Sequence, residues 1–517
     1  MSQAQCLRLR TTISSHGRIV MQRLRSFRHA NFARAGIAGG LILGAALAHA
    51  HGDGSPRGGP LPASPADATP PPITVLTSHR GTARGLIFVA PKTAPGGATA
   101  PAPVQGPEII DDLGRPVWFH AVTGGDQAAD FRVQRYRGQP VLTWWQGQSH
   151  TGAGHGEGVD YIVDRSYRVI ATVNAGNGLA ADTHEFRLTP EGTALILVYH
   201  AVPYDLSAVG GSAAGSVFDG IVQEIDVASG AVLFEWHSLD HVGLDESHAP
   251  VPAAAATTYD YFHINAVSVD EDGNLLVDAR NTWAFYKVHR RTGRIIWRLG
   301  GTKSDFALGP DAAFAWQHNP EAVDRETVRL FDNEAAPAVL PHSRVIWLRR
   351  DSRDHTATLI RWLQHPDGLS AGSQGDAQGL ENGNTFVGWG QTGRFSEFDP
   401  SNNLLFDASV PAGYDTYRAF RHVWHAQPDG PPSVTAARNP DGTTTVHAVW
   451  NGATEVARWI VVGGHHAHDL HRLAAASWNG LDTAITLTTG ASYVAVVAED
   501  DGGHRIDQSA VVPIEPN

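Results

Sequence analysis

The chain has 517 residues, 42 % of them hydrophobic, and a net charge of −13. It is too long for one ordinary compact domain, and its acidity excludes nucleic acid as a partner, which needs a basic footprint. Glycine at 55 and tryptophan at 14 against 2 methionines argue against long helices and for short strands with tight turns, because glycine supplies positive-φ turns and aromatics suit pleated surfaces.

Residues 1–50 contain seven arginines between Arg8 and Arg34, no lysine and no acid, then an apolar run from Ala35 that closes on Ala48-His49-Ala50. A basic start, a short apolar stretch and an A-x-A end predict a secretory signal cleaved near Ala50, and so a secreted or periplasmic protein. The glycine-bearing run is short for a spanning helix, so no stable membrane insertion is expected after signal removal; left uncleaved, it would be an anchor. Met21 is an alternative start that makes the signal more ordinary in length. Removing residues 1–50 takes the net charge from −13 to about −20. The only cysteine, Cys6, lies in this segment, which closes disulfide, thiolate-metal and cysteine-nucleophile readings for the mature chain.

Residues 51–72 are rich in proline, glycine and alanine and read as a flexible leader. From residue 73 two short β-type runs, ITVLTSH and GLIFVAPK, precede a proline-rich linker. A unit then recurs six times: EIIDDLGRPVWFHAV, DYIVDRSYRVIATVNA, VQEIDVASGAVLFEWHS, FYKVHRRTGRIIWRLGG, VIWLRRDSRDHTATLIRWLQ and FSEFDPSNNLLFDASV. Between these units lie second hairpins such as HEFRLTPEGTALILVYH, HINAVSVDEDGNLLVDAR, HNPEAVDRETVRLFDNE and GLENGNTFVGWGQ. Two hairpins per period of roughly 40 to 60 residues predict four-stranded blades. The expected class is all-β: a six-bladed propeller over residues 73–430, then a fibronectin type III-like sandwich over 431–517, suggested by alternating strands around Trp450 and SYVAVVAED. Trp236, Trp297, Trp347 and Trp362 read as packing between blades.

The second hairpins open on histidine at one phase: His184 in DTHEF, His263 in YFHIN and His318 in WQHNP. Their partner strands end on His200, Arg280 and Asn333. Innermost strands line a propeller's axis, so three imidazoles and a guanidinium are expected to converge there. Such a cluster suits a sulfate or phosphate ester. The loop GLDESHAPVPAAAATTYDY is read either as a lid carrying Tyr259 or Tyr261 or as a plain insertion. His342, His355, His365, His465 and His466 read as surface or loop residues. There is no phosphate-binding glycine loop of the Walker type, which disfavours nucleotide use.

The segment from Tyr261 to Gly301, YFHINAVSVDEDGNLLVDARNTWAFYKVHRRTGRIIWRLGG, followed by WQHNPEAVDRETVRLFDN, resembles bacterial arylsulfate sulfotransferases and their larger arylsulfotransferase relatives. The resemblance extends over roughly 73–423. It implies a six-bladed propeller moving a sulfuryl group from an aryl sulfate to a phenol by ping-pong chemistry, with no nucleotide sulfate and no other cofactor. It places the nucleophile at His318, supporting histidines at His263 and His184, and the anion-binding arginine at Arg280; Asn265, His200, Asn333 and Tyr261 are the expected substrate contacts. The chain departs from the family in its short leader, its lack of a mature cysteine, Asp278-Ala279 in place of two serines, and its C-terminal module. Two other readings stand beside this one: a three-histidine metal-dependent hydrolase on the same site, disfavoured by Arg280, and a non-catalytic adhesive protein. Neither the oligomeric state nor the natural donor and acceptor follows from the sequence.

Overall fold

The computed structural model describes residues 59–61, 68–95, 104–150 and 154–516. The predicted signal, residues 51–58 and 62–67 of the leader, and residues 96–103 of the linker lie outside them. The described chain is all-β, its only helices being five three-residue 3-10 turns.

Six sheets follow one another, antiparallel except for the short edge strand Ala307–Leu308, which pairs in parallel with Thr356–Leu363 in the fourth, and their hairpins coincide with the repeated units. Their leading strands are β1 (Gln127–Tyr136), β2 (Phe186–Leu188), β3 (Ile264–Val269), β4 (His318–Ala322), β5 (Asp376–Gly379) and β6 (Ala419–His422). The third sheet shows why the sequence folds this way. Ile264–Val269 and Leu275–Ala279 pair around D-E-D-G-N, where Gly273 takes φ +79° and its N–H donates to Asp270 O at 2.9 Å; only glycine adopts that conformation without strain. Ala284–Val288 and Ile295–Gly300 complete the sheet.

The sixth sheet joins the two ends of this body. β6 pairs with Leu86–Val89, which pairs with Glu108–Ile110 and then Pro116–Phe119. Thr74–Ser78 adds an edge to the fifth sheet, and Gly59–Pro60, within the expected leader, pairs with the first. β1 lies against both β2 and β6, β3 against β4, β4 against β5 and β5 against β6, while β2's partner Thr193–Tyr204 lies against β3.

Apolar clusters fill the space between successive sheets. Trp145 and Phe186 meet between the first two, Trp236 and Tyr286 between the next, then Phe285 and Ile346, Phe331 and Trp389, Ile87 and Phe406, and last Phe88 and Trp144. Burial of such large side chains is the main source of stability, at roughly 25 cal/mol per Å² of apolar area. The sequence reading of the tryptophans needs one correction: Trp236 and Trp347 are buried as expected, but Trp362 is 52 % exposed on an outer strand. An outer strand has only one covered face, so alternation turns every second residue to water.

After residue 431, Ser433–Arg438, Thr444–Val449 and Asp482–Leu487 form one sheet; Asp469–Ser477, Arg458–His466, Tyr493–Glu499 and Arg505–Gln508 form another. They share a core of Val446, Trp450, Trp459, Val461 and Val494. This module is fixed to the edge strand Pro116–Phe119: Gly452 N donates to Val117 O at 2.9 Å, Leu481 N to Pro116 O at 2.7 Å, and the Asn451 side chain bonds both N and O of Phe119. An open sheet edge is thereby covered.

Candidate active site

His184 lies two residues before β2, His263 immediately before β3, and His318 opens β4. The neighbouring leading strands therefore bring the three side chains together. The rings of His184 and His263 stand 5.2 Å apart, nearly perpendicular. His318 is 1 % exposed, and burial, then the Arg280 guanidinium, then the other two imidazoles hold it well below the ordinary histidine value, with only the Asn333 bond opposing. It is therefore neutral at physiological pH.

The tautomer of His318 is fixed by its partners. Its Nδ1–H donates to Asn333 Oδ1 at 2.7 Å, and the Asn333 amide donates to the carbonyls of Ala371 and Gln374, which orients it. The lone pair is left on Nε2, where it accepts a hydrogen bond from the Gln374 N–H at 3.2 Å. Asn265 and Asp278 brace the same turn: Asn265 Nδ2 donates to Gln317 O at 2.8 Å, and Gln317 Nε2 donates to Asp278 Oδ1 at 2.8 Å.

His184 and His263 differ from His318 in their Nδ1 partners. His184 Nδ1 donates to Asp182 Oδ2, and His263 Nδ1 to Asp260 Oδ2. Burial alone would raise Asp182, but His184 and the Gly156 N–H hold its carboxyl below the usual range. Burial lowers His263, with Asp260 opposing and His184 and Arg280 adding to the depression. Each imidazole thus has a carboxylate that orients it, and an Nε2 with no hydrogen bond among the described residues.

Arg280 is seated over the Trp316 ring at 4.7 Å, and its Nη2 donates to Gly372 O at 3.0 Å. Among the described residues no carboxylate lies within ion-pair distance of it, although the charge of Asp260 acts on it. Burial lowers it to about 10, so it stays cationic at neutral pH. Trp316 and Trp283 both have φ near +58° and +52°, a costly backbone for bulky residues that recurs at functional sites.

Of the eight residues expected from the sequence, the structure gathers His184, His263, His318, Arg280 and Asn333. Asn265 lies beside them with its amide committed to Gln317. His200 and Tyr261 are placed elsewhere. His200 is exposed, and the residue facing the cluster is its neighbour Tyr199, whose ring lies 5.6 Å from both His184 and His263 and whose hydroxyl donates to Ile264 O. A one-residue offset along a strand moves a side chain to the opposite face. Tyr261 is fully buried in the core against Phe262, with burial raising its phenol. His365, read as surface or loop, is 3 % exposed. Asp182 and Asp260 were missed, although D-T-H and D-Y-F-H place an acid two or three residues before each histidine.

The arylsulfotransferase (ASST) family matches the chain over residues 132–410, a span containing the whole cluster. The chain belongs to the arylsulfotransferase family. Membership supports arylsulfotransferase-like activity in general and makes small aryl molecules plausible substrates. No curated protein matches the chain. Among solved structures, similarity is found to a Bacteroides caccae protein of unknown function (11 % identity, TM-score 0.39, covering 65 % of this chain and 98 % of that one) and to a Lactobacillus plantarum protein (12 %, 0.35, 83 % and 97 %). A catalytically inactive virginiamycin B lyase from Staphylococcus aureus with quinupristin also matches (9 %, 0.27, 72 % and 96 %). None of these likenesses bears on the reaction. No helix among the described residues is long and apolar enough to cross a membrane.

Proposed function

We propose that this protein is an exported sulfotransferase that carries the sulfuryl group of an aryl sulfate to a phenol on His318 Nε2, with no nucleotide sulfate. In this reading the six sheets are the blades of a propeller closed by β6, the C-terminal module is a fibronectin type III-like sandwich, and residues 1–50 are the export signal. One observation carries the chemistry: a neutral imidazole with Nδ1 committed to Asn333 and its Nε2 lone pair beside a guanidinium that has no carboxylate ion partner.

His318 Nε2 attacks sulfur as the sulfur–aryloxide bond breaks, and a protonated His263 or His184 gives its Nε2 proton to the departing phenoxide. The phenol leaves, and that histidine is neutral. An acceptor phenol then gives its proton to the same histidine while its oxygen attacks sulfur; the N–S bond breaks and His318 regains its lone pair. Arg280 binds the nonbridging oxygens, and the Gln374 N–H is placed to donate to one of them once Nε2 is sulfated. A three-histidine metal centre gains no support, because the rings are each held at Nδ1 by Asp182, Asp260 and Asn333 and Arg280 would repel the ion.

The direct test mixes the purified protein briefly with an aryl sulfate and no acceptor, then measures intact mass and maps peptides. A gain of one sulfuryl group on the His318 peptide, discharged by added phenol, is expected; an unmodified protein that also transfers nothing sinks the proposal. In Arg280→Ala, kcat/KM is expected to fall on the order of 100-fold. The guanidinium lowers the pKa of His318, so its removal raises that pKa, and the acid limb of the pH–rate profile moves to higher pH. Measuring kcat/KM from pH 4 to 9 checks both effects.

A further inference from the structure

The hairpin that joins Arg458–His466 to Asp469–Ser477 carries His465, His466, His468 and His471 within seven residues. All four are exposed, and none makes a side-chain hydrogen bond or ion pair with another described residue. A histidine kept for packing would be buried or bonded; these are neither.

Strand geometry sorts them by face. His466 pairs directly with Asp469 across the hairpin, so the two side chains share a face. His471 follows Asp469 by two residues and returns to that face. His468 sits in the turn, and its ring stacks on His466 with centroids 5.6 Å apart and planes 13° apart. Side chains diagonal across a hairpin start about 7 to 8 Å apart, and two imidazoles on opposite sides of an ion span such a gap at metal–nitrogen distances of about 2.1 Å. His465 points to the other face, near Gly490. The hairpin tip thus offers three imidazole rings and one carboxylate.

We propose that this tip binds a divalent transition-metal ion of the borderline class, such as zinc, through His466, His468 and His471, with Asp469 as a fourth ligand. Imidazole donors select such ions over magnesium or calcium, which take oxygen. The ring nitrogens are not already gathered at one point, but nothing pins them, and exposed side chains reorient at little cost. The buried histidines of the catalytic cluster are held by Asp182, Asp260 and Asn333 and lack that freedom. The site is independent of the sulfotransferase reading.

Equilibrium dialysis of the full chain against zinc chloride, read by elemental analysis and followed by calorimetric titration, tests it. One zinc ion per chain is expected in the wild type and in His318→Ala, with affinity weakened about tenfold or more in the His466→Ala/His468→Ala double variant; magnesium should not compete. No zinc bound by the wild type, binding unchanged in the double variant, or binding lost in His318→Ala would each overturn the proposal, the last by placing the ion at the buried cluster. The substitutions are on the surface, so an unchanged melting transition shows that the variant is folded.

Discussion

In His318→Ala, sulfuryl transfer is expected to fall on the order of 10⁴-fold or more, because removing a nucleophile removes the whole covalent route. The loss should reside in kcat and in adduct formation. Arg280 remains over Trp316 with its bond to Gly372, so aryl sulfate should still bind, with KM changing far less than kcat. The vacated space leaves Asn333 Oδ1 and the Gln374 N–H without their ring partner, which costs about 1 to 3 kcal/mol each unless water replaces the ring. Thermal unfolding must therefore be recorded beside activity. Transfer retained within tenfold of wild type would show that the sulfuryl group does not ride on His318. Asp260→Asn is the informative companion: with the carboxylate gone, His263 should lose basicity, and the pH at which phenol leaving is assisted should fall while His318 still takes the label.

The alternation of apolar residues and the placement of D-G and N-G turns fixed the strands from sequence, because a hairpin is a local object: Ile264–Val269 and Leu275–Ala279 are specified by ten or so consecutive residues. Which strands become neighbours was legible only through repetition, and it failed where the chain departs from its period. Gly59–Pro60 pairs with Arg168–Val173 from within a segment whose composition reads as leader. The histidine phase was visible because one position recurs in three hairpins. The positions one residue away were not, since His200 and Tyr199 differ only in the face they present and strand 193–204 is long enough for both faces to carry aromatics and polar groups. Asp182 and Asp260 were readable in principle. An acid just ahead of the strand on two of three histidines, and a tryptophan-glutamine pair ahead of the third, already divides two carboxylate-supported imidazoles from one supported by an amide. The Gln374 N–H was not readable, because it belongs to a loop whose path depends on Asn333 and Ala371.

Arg418→Met should destabilise the protein by roughly 3 to 5 kcal/mol, the usual cost of breaking a buried ion network at one partner. Its side chain is fully buried beside β6, and it reaches Asp130 Oδ1 at 2.9 Å, Glu185 Oε2 at 3.1 Å and Asn265 O at 3.3 Å. These groups belong to β1, the approach to β2, and β3, so one guanidinium ties the strand supplied by the end of the body to three others. Burial alone would raise Glu185, but Arg418, Arg132 and Arg187 hold it at about 2. A carboxyl depressed in the folded state contributes stability that is complete above its unfolded value near 4.5 and is lost as pH falls toward 2. In wild type the Glu185 contribution should therefore drop over that window, opposed by its neighbour Asp130, whose carboxyl burial raises, and in Arg418→Met the drop should be smaller because the folded Glu185 carboxyl has lost its leading cationic partner. Urea unfolding at pH 7, 4 and 2.5 checks the sign and the size together. Glu185 also adjoins His184, so activity in the variant should fall at temperatures well below its melting point, whereas a network that served stability alone would leave the folded enzyme as active as wild type.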